Sequence, residues 1–377
     1  MIPRGEPGDD AGVSGPLTLS HLRGYAIGRS LFRPTTLARA IERLGFVQVD
    51  PIRAPARAQD LTLRLRVLGY RAGDLERRYP RLELEEDWLV NYGVLPRRHR
   101  ALMHPRTVRR DWSAVQRRRV EEVLAFVRER GPSHPREVQA AFDHGRTRNA
   151  WGGISSATTH LLGEMHYRGL LRVARRDSGL RIYAAAPEPV EDARGPAEKA
   201  DALVDLAVDK YAPLPARSLG MLCRFLRRGA PQLASELERA QQRARTRLPH
   251  ADVGGQRWLW PAGENPSAAR WRREPEGGDR LRLLAPFDPV VWDRLRFELL
   301  WGWAYRFEAY TPAPRRKLGY YALPMLWRDR VVGWANLSVA AGCLRHALGF
   351  VGVPLRHKVF RRALDGELEG LSRFLER

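Results

Sequence analysis

Over the first two-thirds of the chain, apolar positions recur three and four residues apart, the spacing of helices that bury one face. Leu22, Tyr25 and Ala26 mark a first helix from Leu19, which breaks at Pro34. Thr35 or Thr36 caps a second helix, with Leu37, Ile41 and Leu44 on one face and Gly45 as its stop. Pro51 and Pro55 bracket a turn into a further helix over Ala56–Leu68. Arg117–Glu129 carries apolar residues at 120, 123, 124 and 127 and ends at Gly131-Pro132. A short helix around Arg136–Phe142 and a polar loop, Asp143–Asn149, lead past Trp151 to a third helix, Ser155–Tyr167. Its expected inner face is Ala157, Leu161, Leu162 and Met165. Its outer face is Ser156, Thr159, Glu164 and His166. Two short apolar runs, Leu170–Ala174 and Leu180–Ala184, flank the polar tip Arg175–Gly179.

Three helices followed by a basic hairpin make a winged helix over 116–186, with Ser155–Tyr167 as the recognition-type helix and Arg175–Gly179 as the wing. A Pro/Glu/Gly linker spans 187–196. Residues 197–265 repeat the plan more weakly, through Ala200–Tyr211, Ala216–Arg227, Ala230–Arg245 and a terminal strand Gln256–Trp260. Residues 17–115 form a first module of the same kind. From Arg280 the texture changes to strand-like runs at Leu281–Leu284, Tyr305–Tyr310, Tyr320–Leu326 and Arg330–Leu337, closed by a helix over His357–Glu376. The expected fold is α+β, mainly α: tandem winged-helix modules plus a small C-terminal β-rich domain over 280–377.

Charge narrows the partner. The 65 Lys and Arg exceed the 43 Asp and Glu, giving a net charge of +22. Such a field attracts polyanions, and nucleic acid is the default. Lysine occurs only at 199, 210, 317 and 358, so nearly all the positive charge is arginine, whose fork suits phosphates and guanine edges. From Arg97 to Arg119 there are nine arginines and one acid, Asp111, with His99, His104 and Trp112 interleaved. The candidate DNA contacts are Arg97, Arg98, Arg109 and Arg110 from this stretch, Ser156 and Thr159 from the outer face of the third helix, and Arg175 and Arg176 from the wing. The competing reading of a charge run is a solvated helix face. Neutralising Arg109 and Arg110 is expected to weaken binding to all sequences alike.

Other chemistries find no support. His99/His104 and His160/His166 lack the i, i+4 spacing that puts two imidazoles on one helical face, and Cys223 and Cys343 have no paired spacing. No phosphate-binding loop or dinucleotide fingerprint is present. Neither metal nor cofactor is expected. Residues 1–16, rich in Gly, Pro and Asp, are expected to be disordered and lack a signal-peptide apolar region. No stretch is apolar enough to span a bilayer. The expectation is a cytoplasmic, nucleoid-associated protein without an obligate protein partner.

One segment breaks its surroundings. In Phe46-Val47-Gln48-Val49-Asp50-Pro51-Ile52, an apolar run is interrupted by an amide and a carboxylate two residues apart. In an extended chain these side chains share one side. Such a pair can hold a water or stabilise a cation. It can equally be a strand end whose polar residues face solvent.

Several motifs in one order resemble the YcaQ/AlkZ-type family of winged-helix DNA glycosylases, over roughly Leu19 to Leu337. They are Val47-Gln48-Val49-Asp50 with Ile52 and Ala56-Arg57; Gly131-Pro132; Ala216-Arg217-Ser218-Leu219-Gly220; and Ala285-Pro286-Phe287-Asp288-Pro289-Val290-Val291-Trp292-Asp293-Arg294. Tyr305-Arg306, Tyr310-Thr311-Pro312-Ala313-Pro314 and Gly319-Tyr320-Tyr321-Ala322-Leu323-Pro324 complete the set. The resemblance implies hydrolysis of the N-glycosidic bond of N7-alkylated purines, and unhooking of interstrand crosslinks, in damaged or crosslinked double-stranded DNA. It makes Gln48 and Asp50 the catalytic residues, the Gln-apolar-Asp form of the family signature. The chain departs from the family pattern at Trp88–Val94, which lacks a histidine, and at Val332-Gly333-Trp334. A non-catalytic winged-helix DNA-binding protein, a regulator, is the alternative, and a wing-mediated protein scaffold a third. Base release separates the first from the second.

Overall fold

A computed structural model of the chain describes residues 15–107, 111–148, 152–188, 192–271 and 279–376. The expectation of disorder over 1–16 falls mainly outside them, as do Arg109, Arg110 and Trp151. The elements run α1 (Leu19–Ser30), α2 (Leu37–Leu44), β1 (Val47–Gln48), α3 (Ala58–Leu63) and α4 (Asp74–Arg78). Then come β2 (Leu84–Trp88), β3 (Tyr92–Pro96), α5 (Arg100–Met103), α6 (Ala114–Arg130), α7 (Pro135–Ala141), β4 (Arg146–Arg148), β5 (Ile154–Ser156) and α8 (Ala157–Arg168). The hairpin β6 (Leu171–Asp177) and β7 (Leu180–Ala185) precedes α9 (Pro196–Tyr211), β8 (Leu214–Pro215), α10 (Ala216–Gly229) and α11 (Ala234–Arg247). The chain ends with β9 (His250–Val253), β10 (Gln256–Leu259), β11 (Leu281–Leu283), α12 (Arg294–Trp301), β12 (Leu323–Trp327), β13 (Arg330–Ala340), β14 (Cys343–Phe350) and α13 (Lys358–Leu375). The fold is α+β, with small antiparallel sheets among many helices. No helix among the described residues is long and apolar enough to cross a membrane.

Contacts divide the chain into two compact units. The first comprises Met1–Asp74, Val204–Leu222 and Gln241–Arg377. Its helices start and stop as the pattern predicts. Thr36 caps α2 by accepting from the Arg39 amide, and Gly45 ends it at φ 65°, a left-handed conformation that costs glycine least. Leu37, Ala40, Ile41 and Leu44 form the buried face. One core cluster gathers Ile27, Leu31 and Leu65 with Leu284, Val290, Val291, Phe297 and Tyr305. A second joins Leu22, Tyr25 and Ala26 to Trp258, Trp260 and Leu300. Strands β11-β12-β13-β14 make an antiparallel meander in chain order. On β14, Gly349 pairs with Trp334, and a Cβ there would meet the Trp334 indole at 2.2 Å.

Two expectations for this unit change. The helix proposed for Ala56–Leu68 is only α3; beyond it the backbone turns and Arg66 is drawn fully inside to Asp288. The run Tyr305–Tyr310 is no strand. Its first two aromatics serve packing and not a ladder: Tyr305 donates its hydroxyl to the Ala322 carbonyl at 2.8 Å, and Phe307 packs edge-on to Tyr321 and Phe287.

The second unit comprises Leu75–Leu203 and Cys223–Ala240. In it α6, α7 and α8 precede the β6–β7 hairpin, joined by a bridge between Ser133 and Tyr183. Part of the loop Asp143–Asn149 pairs as β4 with β5. The hairpin tip is shorter than the polar run Arg175–Gly179. Ser178 and Gly179 alone turn the chain, with φ of 50° and 88°, the type I′ geometry that suits strand twist. Arg175 and Arg176 therefore lie in β6, paired with Ile182 and Arg181.

Strand β2 carries three consecutive acids, Glu85, Glu86 and Asp87, all buried. Each is matched by arginine. Glu85 takes Arg172 and Arg97, Glu86 takes Arg176 twice at 2.7 and 2.8 Å, and Asp87 takes Arg106 and His104, each at 2.7 Å. Burial pushes the Asp87 carboxyl up, but Arg106 and His104 outweigh it and hold the group well below its ordinary value.

Candidate active site

Phe46 and Val47 are buried in the first unit and anchor β1. Lys210, on α9, fastens the strand's approach by donating its ammonium to the carbonyls of Phe46 and, at 3.4 Å, Leu44. Burial, reinforced by the charge of Arg66, pushes this amine down to about 7. It is the one buried lysine of the region, and its sequence context gave no sign of that role.

Gln48 is 7% exposed. The Trp292 indole N–H donates to its Oε1 at 2.9 Å. Indole is a donor only, so the amide oxygen must face it and the NH2 must point the other way. Trp292 is in turn stacked on Tyr211, with centroids 4.9 Å apart. Among the described residues nothing bonds the Gln48 NH2.

Asp50 is 8% exposed. Its backbone N–H donates to Gln59 Oε1 at 3.2 Å, and its Oδ1 accepts from the Ile52 amide at 2.9 Å. That local turn follows from Asp placed before Pro51. Among the described residues no group bonds Oδ2. Burial raises the Asp50 pKa, and the Ile52 bond only partly opposes it. Among the described residues no cation is paired with the carboxylate. The neighbouring ionisable groups are phenols: Asp50 pushes up both Tyr321 and Tyr310, after burial itself. Tyr321 is 2% exposed and its hydroxyl has no hydrogen-bond partner among the described residues, whereas Tyr310 is 76% exposed.

The 285–294 motif is a bracket for this site. Asp288 is fully buried and takes both ends of Arg66 at 2.8 and 2.9 Å. Asp293 caps α12 through the Arg296 amide at 3.1 Å. Arg294 donates to the Val291 carbonyl at 2.6 Å and lies over the Tyr305 ring. These residues hold the loop, and Trp292 alone reaches Gln48.

The sequence-predicted DNA contacts fare differently. Arg98, Thr159 and Arg175 are exposed. Arg97 is shared between Glu83 and Glu85. Ser156 caps α8 through the Thr159 amide and also bonds Gln139, so its hydroxyl is committed. Arg176 is a correction: it faces inward to Glu86 and stabilises the unit. His166, assigned to the outer face of α8, is also a correction. It is buried between Tyr92 and the Leu171 carbonyl, and burial pushes it down to about 4. Arg109 and Arg110 lie outside the described residues. Among the described residues no cluster of three or more His, Cys, Asp or Glu is arranged to hold a metal.

A structural comparison matches the chain to DNA glycosylase AlkZ of Streptomyces sahachiroi, with a TM-score of 0.61, 15% sequence identity, and coverage of 96% of this chain and 97% of that one. At that identity the likeness establishes the fold. The family model described as DNA glycosylase AlkZ-like matches residues 41–374, a span that includes Gln48, Asp50, Trp292 and Tyr321. The chain belongs to the AlkZ-like DNA glycosylase family.

Proposed function

We propose that this glycosylase is monofunctional and hydrolyses the N-glycosidic bond of N7-alkylated purines, with Asp50 and Gln48 at its centre. The observation that carries the reading is the pair of open polar atoms, Asp50 Oδ2 and the Gln48 NH2, on an otherwise buried segment where no cation among the described residues is paired to the acid. An N7-alkylpurine is already cationic, so its leaving group needs little activation. As the C1′–N9 bond breaks, its electron pair stays on N9 and neutralises the ring. Positive charge moves to the sugar, where ionised Asp50 stabilises it. Water adds its oxygen to C1′ and passes a proton to Asp50, whose raised pKa makes it a stronger base than an ordinary aspartate. Gln48, aligned by Trp292, donates to that water or to the sugar. Tyr310 offers an exposed ring beside the acid for stacking on DNA.

A crosslinked base cannot swing into a tight pocket. Unhooking of interstrand crosslinks therefore belongs to the proposal only where Asp50 can reach C1′ without full extrusion of the base. The α6–α8 helices with the β6–β7 hairpin are read as a winged helix, with Thr159, Arg98 and Arg175 toward the duplex.

The test is base release from duplexes carrying N7-methylguanine or a nitrogen-mustard crosslink. Wild type is expected to release base, and Asp50→Asn to lose release while binding DNA equally or more tightly, since a negative charge is gone. No release by folded wild type that binds DNA would favour a non-catalytic regulator.

A further inference from the structure

The second unit holds a cavity of about 680 Å3 that the proposed chemistry does not use. Sites for small organic molecules have roughly this size, about 300–1,000 Å3. It is lined by Trp88, Trp112, Thr159, Tyr167, Arg168 and Arg228, among others. Three aromatic rings meet two guanidinium groups there, and a third, the buried Arg106, backs Tyr167 from outside the lining. Arg168 lies 3.9 Å from the Trp112 centroid, Arg228 4.0 Å from Trp88, and Arg106 4.7 Å from Tyr167. The rings are held in place. Trp112 donates its indole N–H to Glu164 at 3.0 Å, Trp88 packs edge-on to Tyr92, and Tyr167 donates its hydroxyl to the Arg228 carbonyl at 2.7 Å. Both indoles are only partly buried, so each keeps some ring surface open to solvent.

Fixed indoles offer the ring faces not covered by arginine to any base, whatever its sequence, and the positive charge beside them favours the flanking phosphate. Thr159, an exposed residue of α8, stands on the cavity rim. We propose that this cavity is a stacking site for one unpaired nucleotide of DNA, separate from Asp50. This rests on the DNA-substrate reading above. It gives the enzyme a grip on a strand that has been opened at a lesion and lost its pairing.

The experiment compares full-length protein binding to a short oligothymidylate and to an abasic oligomer of the same length and charge, at fixed salt, with tryptophan fluorescence as readout. Stacking predicts that the thymidylate binds roughly five- to a hundredfold tighter and alters the emission. Trp112→Ala should bring the ratio close to one, and Trp112→Phe should keep most of it. Gly163→Leu supplies a variant that removes no contact: Gly163 lines the cavity within α8, and a Cβ there meets nothing within 4 Å. It should fold normally and abolish the preference by filling the site. Equal affinity for the two oligomers, or a wild-type ratio in folded Gly163→Leu, overturns the proposal. So does equal displacement by polyglutamate, which would mark a general anion surface. Base release from N7-methylguanine is measured on the same preparations. Release without a thymidylate preference rejects the cavity alone, and a preference without release rejects the Asp50 chemistry alone.

Discussion

Asp50 is held in a conflict that the proposed chemistry needs. Its surroundings disfavour the charge, so its folded pKa lies above its unfolded one. For an acid shifted this way, ionisation costs stability. The cost is absent below the ordinary value of 3.8, grows as pH rises through the folded pKa, and is complete above it. Asp50→Asn keeps the side-chain acceptor for the Ile52 amide and removes the charge. Thermal unfolding should therefore show the variant melting above wild type at neutral pH, with the gap closing as pH falls toward 3.8. A variant that melts below wild type at pH 7 would mean that the carboxylate is a structural partner. The pair itself was legible in the sequence, because an amide and a carboxylate two apart in an apolar run are conspicuous. What holds them was not: Trp292 stands in the 285–294 motif with no sign of its bond to Gln48, and Lys210 looks like ordinary surface on its own.

At the scale of elements, the hairpin β6–β7 shows where charge counting misleads. Arg175 and Arg176 are neighbours, but successive side chains on a strand point to opposite faces. One faces out, and the other meets Glu86. Arg175→Ser should leave the melting temperature near that of wild type, weaken duplex binding and reduce the salt slope by about one. Arg176→Ser leaves Glu86 buried without its guanidinium and should cost about 3 kcal/mol of unfolding free energy, read by denaturant titration. Equal effects of the two on DNA affinity, with no difference in stability, would contradict this assignment. Helices with clear caps, such as α2, were readable from local chemistry alone. The strand Leu84–Trp88 was not, since Leu-Glu-Glu-Asp-Trp lacks any alternation, and its acids are buried only because arginines from elsewhere meet them.

For the molecule as a whole, the net charge of +22 governs encounter with DNA and says little about which bond is cut. Neutralising Arg109 and Arg110 together should lower affinity for every duplex alike and reduce the log–log salt slope by about two. A loss confined to one sequence would show that they read bases. The bond between Trp292 and Gln48 joins residues 244 positions apart. Synthesis runs from the N-terminus, so the Gln-Val-Asp segment leaves the ribosome long before the indole that aligns it. During that interval the Gln48 amide lacks the donor that fixes its orientation, while the local bond from the Ile52 amide to Asp50 needs no distant residue. The nascent chain thus carries its signature early and acquires the geometry only when its last hundred residues arrive, so a product that stops short of Trp292 holds the Gln-Val-Asp segment without the indole that aligns it.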